Sequence, residues 1–118
     1  MEFEIKFYYD SKGSSPIEEF LQELKRSNQL LAEHTFKALG KLRYRFYHTE
    51  PLSKYIEPGL WEVRVRSGTN ILRIFYTFNK GKIVLLLHIF IKKGQKTPRK
   101  ELGIARKRLR EIPMQEAN

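Results

Sequence analysis

The sequence predicts an α+β fold of order βααβββα, in which an antiparallel sheet carries an N-terminal helical hairpin and a C-terminal helix. Three observations predict it. Apolar and polar residues alternate at the N-terminus and again in three runs after residue 60. Between them lie two stretches of helical spacing with capping residues at their starts, and a third such stretch follows the last run.

In chain order, Phe3, Ile5, Phe7 and Tyr9 alternate with Glu2, Glu4, Lys6 and Tyr8, the pattern of a half-buried strand. Asp10 to Ser14 is a turn. Ser15-Pro16-Ile17-Glu18 then combines an N-cap serine, proline at the first helical position and a glutamate placed for a capping box. Ile17, Phe20, Leu21 and Leu24 carry that helix to about Arg26. Ser27-Asn28 breaks it and caps a second helix, with Leu31, Ala38, Leu39, Leu42 and Phe46 on one side. Pro51, Pro58 and Gly59 make residues 48–59 a connecting loop. Three strands follow, Trp61 to Arg66, Ile71 to Asn79 and Lys82 to about Lys92, with turns at 67–70 and at Lys80-Gly81. Thr97-Pro98 opens the last helix as N-cap and first residue, and Leu102, Ala105, Leu109 and Ile112 form its buried stripe. Residues 1–112 read as one domain, and 113–118 as a frayed tail.

At 118 residues, 41% of them hydrophobic, the chain has enough apolar surface for one core. The absence of cysteine excludes a disulfide framework and thiolate chemistry and fits a reducing cytosol. The longest apolar run, Ile83 to Ile91, is interrupted by His88 and is too short to cross a bilayer. A cytoplasmic protein with no membrane partner is expected. With no histidine pair at ligand spacing and no carboxylate cluster, neither a metal nor another cofactor is expected.

The charge is unevenly placed. Residues 1–60 balance nine Lys/Arg with nine Asp/Glu, whereas 61–118 set fourteen against four, which accounts for the whole net +10. The basic half holds the strongest strand signals, so the charge is mounted on a sheet and points to a polyanion, nucleic acid first. A four-residue turn at 67–70 sets Arg64 opposite Arg73. A two-residue turn at Lys80-Gly81 sets Asn79 opposite Lys82 and Arg73 opposite His88. Arg64, Arg73 and His88 then form a row, flanked by Arg66, Phe90 and Lys92. The other face takes Trp61, Val63, Val65, Leu72, Ile74, Tyr76, Phe78, Leu85, Leu87 and Ile89. Like charges side by side destabilise a sheet unless an anion sits between them or Glu62 neutralises one. His88 is either a core histidine satisfied by a carbonyl or a titratable group kept neutral by nearby cations. His34 and His48 are expected at the surface. Lys92, Lys93, Lys96, Arg99 and Lys100 add a basic loop beside a helix N-terminus.

Leu60-Trp61-Glu62-Val63-Arg64-Val65-Arg66, then Arg73-Ile74-Phe75-Tyr76, resembles the phage-derived HigB-type branch of the RelE/ParE toxin superfamily. His88 to Lys93, Lys96-Thr97-Pro98 and a helix with Glu101, Ala105 and Arg108 continue the likeness in order. The resemblance implies the toxin of a type II toxin–antitoxin pair, with a small helix-turn-helix antitoxin as partner. It implies metal-free cutting of mRNA on the ribosome, with ribosomal RNA contacts, by attack of a 2′-hydroxyl on the adjacent phosphate. On that basis Arg64 and Arg73 are expected to clamp the phosphate. His88, or one of Lys92, Lys93 and Lys96, is expected to move a proton, and Phe90 to stack a base, with Arg66 and Arg99 as further RNA contacts. Many RelE-type toxins use a tyrosine or an acidic residue near the C-terminus; here no tyrosine follows Tyr76. Three alternatives remain open at this level: a ParE-like topoisomerase poison, a basic nucleic-acid-binding module without catalysis, and a basic face that mainly meets an acidic partner protein.

Overall fold

The computed structural model describes residues 2–92 and 98–112. Its elements are β1 (Glu4–Phe7), α1 (Pro16–Ser27), α2 (Gln29–Lys41), a 3-10 turn (Arg45–Tyr47), β2 (Ser53–Glu57), β3 (Leu60–Ser67), β4 (Asn70–Asn79), β5 (Ile83–Lys92) and α3 (Arg99–Arg110). The strands form one sheet of order β1-β5-β4-β3-β2.

This corrects the expected fold class in three respects. The sheet has five strands, because Ser53–Glu57, expected as loop, pairs antiparallel with β3. It is mixed, because β1 runs parallel to β5. The two early helices do not form an N-terminal hairpin: they lie between β1 and β2, as the crossover that brings the chain from one edge of the sheet to the other. Sequence periodicity marks a strand but not its neighbour, and β2 is short and bracketed by prolines, which masked it.

The helix starts follow local chemistry. Ser15 Oγ accepts from the Glu18 amide at 3.2 Å, with Pro16 in the first turn of α1. Asn28 serves both helices: its amide donates to the Leu24 carbonyl, and its side-chain oxygen accepts from the Leu31 amide at 3.1 Å. α2 stops at Lys41, so Phe46, expected on its buried side, lies beyond it and is 80% exposed. α3 begins at Arg99 with Pro98 in the cap position, rather than with Pro98 as its first residue. The expected Thr97 cap and the tail from 113 lie outside the described residues.

The sheet is covered on both sides. Ile17, Leu21 and Leu24 of α1 and Leu31, Ala38 and Leu39 of α2 pack with Val63, Val65, Leu72, Ile74, Tyr76, Val84, Leu86 and Ile89. On the other face Ala105, Leu102 and Leu109 of α3 pack with Leu60, Phe75, Leu87 and Phe90. Leu85 and Leu87, expected among the first set, belong to the second. His48, expected at the surface, is half-buried; its ring packs on Phe3 and Phe78, and its Nε2 lies 2.7 Å from the Leu42 carbonyl oxygen.

Candidate nucleic-acid interface

Two local features set which residues meet on the α3 side of the sheet. The β3–β4 register is the expected one, with Arg64 opposite Arg73 and Arg66 opposite Ile71. The β4–β5 register is not. Asn79 pairs with Ile83, so the turn holds three residues, with Gly81 and Lys82 both at positive φ (85° and 59°). A bulge at Leu87 then adds a second residue of shift, since Tyr76 pairs with Leu86 but Phe75 with His88. The turn reverses the inward and outward alternation for residues 83–86, which sends Leu85 to the α3 side. The bulge restores the alternation from His88 onward.

Arg73 therefore faces Phe90, not His88. Three cross-strand rows result: Glu62–Phe75–His88, Arg64–Arg73–Phe90, and Arg66–Ile71–Lys92. The expected Arg64–Arg73–His88 row is replaced by one in which His88 sits a row away on the same face.

The Glu62 carboxylate, fully buried, organises the cations. Arg73 Nη1 donates to both its oxygens, at 2.7 and 2.8 Å, and Arg64 Nε donates to Oε1 at 3.2 Å. Arg73 is buried with it, whereas the Arg64 side chain is 29% exposed. Lys92 lies in the same field. Its ammonium pKa is pushed below the ordinary lysine value by desolvation first, then by the positive charges of Arg73, Arg64 and Arg66, with Glu62 opposing. Arg64 and Arg73 bond one carboxylate, and Lys92 and Arg66 extend the same field, an excess of positive charge that favours an anion on the open side of Arg64 and Arg66.

His88 belongs to a second network. Its Nε2 lies 2.6 Å from Glu101 Oε1, and Arg108 Nη1 approaches its Nδ1 at 3.3 Å while donating to the Leu87 carbonyl at 2.8 Å. Because arginine can only donate, Nδ1 is assigned as the acceptor and Nε2 as the protonated nitrogen of a neutral ring. Desolvation, stronger than the opposing pull of Glu101, lowers the imidazole pKa and agrees with that tautomer. The ring also stacks on Phe90, centroids 5.6 Å apart.

A family profile described as phage-derived protein Gp49-like (DUF891) matches residues 19–110, from α1 to α3 and through all three rows. The chain belongs to this family. The Gp49-like family is a RelE/toxin-like one of toxin–antitoxin systems, which agrees with the coarser part of the resemblance read from the motifs. No match was found among curated proteins.

In this Gp49-like chain the fold brings Arg64, Arg66, Arg73, Phe90 and Lys92 together and leaves His88 beside them, tied to α3. Arg99 is exposed at the start of α3, and Lys93 and Lys96 lie outside the described residues. Sequence reasoning had Glu62 neutralising one arginine but not bonding both Arg73 and Arg64, and it missed Glu101 and Arg108 as the partners of His88. Glu62 was detectable, being the single acid among Arg64, Arg66 and Arg73 on an alternating strand pair. Glu101 and Arg108 were not, since only packing places α3 over His88. No helix among the described residues is long and apolar enough to cross a membrane.

Proposed function

We propose that this chain is the toxin of a type II toxin–antitoxin pair of HigB type, an endoribonuclease that cuts mRNA on the ribosome. The observation that carries this reading is the set of Arg64, Arg66, Arg73 and Lys92 on one sheet face, with Glu62 holding Arg64 and Arg73. In the reaction the 2′-hydroxyl oxygen bonds to phosphorus and the P–O5′ bond breaks, giving a 2′,3′-cyclic phosphate and a 5′-hydroxyl. A proton leaves the attacking oxygen and another arrives at the departing one. Arg64 and Arg66 meet the phosphate and stabilise the charge that develops on it. Arg73, held by Glu62, adds positive charge from beneath, and Glu62 sets the position of Arg64. Lys92 is placed to move a proton, because a lysine with a lowered pKa exchanges one nearer neutral pH. Phe90, expected to stack a base, is buried under α3 between Phe75 and His88 and backs the Arg64–Arg73 row from within the core. In this reading the protein acts in the cytoplasm, and its partners are ribosomal RNA and a helix-turn-helix antitoxin that covers the basic face.

The test is translation of a defined mRNA with purified protein, followed by primer extension. New 5′ ends that need ribosomes, and that Arg64→Ala reduces by about 100-fold or more, are the expected result. Intact mRNA would overturn it. Two observations favour a second reading, a binding module without catalysis: both nitrogens of His88 are engaged, and Arg73 is held by Glu62. In that case Arg64→Ala weakens RNA binding while no product ever forms.

A further inference from the structure

Beyond the phosphate cluster, Arg64 and Arg66 line a second feature, a half-open groove of about 840 Å³ at the β2 edge of the sheet. Its other wall is the 3-10 turn after α2, with Phe46 and Tyr47, together with Lys41 and Glu50. Its size lies within the ~300–1,000 Å³ of small-ligand clefts. Phe46, 80% exposed, is the most exposed large hydrophobic side chain among the described residues. Tyr47 stands against it edge to face, centroids 5.1 Å apart and planes at 87°, and Lys41 Nζ lies 5.6 Å from the Tyr47 ring centre. A planar ring held open beside three cations and one carboxylate matches a flat, negatively charged ligand.

We propose that this groove is a base-binding subsite for single-stranded RNA, in which Phe46 stacks a nucleobase next to the nucleotide whose phosphate rests on Arg64 and Arg66. The inference builds on the nucleic-acid reading above and adds a residue that helical spacing alone places on the buried side of α2. Charge complementarity selects the occupant: Lys41, Arg64 and Arg66 outnumber Glu50 within the groove, and the same two arginines continue into the phosphate cluster. Stacking tolerates any base, so the subsite would add affinity without strict sequence choice. The 3-10 turn has no buried residue, so Phe46 contributes little to the core.

The experiment uses the full chain and short oligoribonucleotides with 2′-deoxy substitutions that prevent cleavage, each carrying 2-aminopurine at one position. Wild-type protein should alter the fluorescence of 2-aminopurine at one position. Phe46→Ala should remove that change and weaken binding by roughly 5- to 100-fold, and Phe46→Trp should restore affinity. An oligonucleotide abasic at that position should bind wild type and Phe46→Ala alike. Equal affinity of wild type and Phe46→Ala for the intact oligonucleotide would overturn the subsite, as would loss of antitoxin binding alone, which would make the groove a protein surface. Absence of ribosome-dependent cleavage by wild type, with the Phe46-dependent signal present, would instead remove the nuclease reading and leave the subsite standing.

Discussion

At the scale of single residues, the Glu62–Arg73 pair dominates. A carboxylate with no exposure, held by two hydrogen bonds from a buried guanidinium, is stable only as a pair, because either charge alone would be stranded out of water. Glu62→Gln should therefore destabilise the protein by about 3–5 kcal/mol in urea denaturation. Pairing it with Arg73→Met should recover much of that loss, since the double variant no longer strands the buried guanidinium. This coupling also makes Arg64 a cleaner probe of chemistry than Arg73. His88 makes a different prediction. Burial lowers its pKa in the folded state, so the unfolded chain binds a proton in a window where the folded chain does not. Its contribution to stability is complete above the unfolded value of about 6.5 and is lost as pH falls toward the folded one. His88→Gln should show a shallower fall of stability below that pH than wild type, read as the difference between the two denaturation midpoints.

At the scale of elements, caps and turns explain both the accuracy and the errors of the sequence reading. Ser15 caps α1 from a buried position, and Ser15→Ala should lower stability by about 1 kcal/mol, measured by thermal or urea unfolding. Gly59 closes the β2–β3 turn at φ 81°, where an added Cβ would come within 3.3 Å of a Leu109 methyl. Gly59→Ala should cost about 1–2 kcal/mol, from backbone strain together with a displaced α3 side chain. The β4–β5 hairpin carries the lesson for register. Alternation alone marks Arg73 and His88 as outward residues, but the pairing between them depends on one extra residue in the turn and another in the bulge. Neither is encoded by hydrophobicity. Glycine and a lysine at positive φ form the first, and accommodation of Leu87 under α3 accompanies the second.

At the scale of the molecule, charge and topology divide the work. The neutral first half supplies α1 and α2 on one face, and the basic half supplies β3, β4, β5 and α3. Some of the basic residues are structural: Arg106 binds Glu57 and ties α3 to β2, and Arg108 serves His88. The cations left for a polyanion are therefore fewer than the net charge implies. RNA binding should weaken with salt, and Arg66→Ala should reduce the slope of log affinity against log salt by about 0.7, as expected for one lost phosphate contact. An unchanged slope would place Arg66 outside the RNA path.

Residue chemistry by itself determined the three helices, the Ser15 and Asn28 caps, three central strands, the Arg64–Arg73 pairing and the basic character of the sheet. These depend on short-range spacing, which a single chain carries openly. Only the tertiary structure decided that β1 lies parallel to β5, that β2 is a strand, that His88 faces Glu101 and Arg108, and that Phe46 opens onto a groove with Arg64 and Arg66. Each of these joins residues distant along the chain, and such contacts form where whole surfaces pack, not where a local pattern repeats.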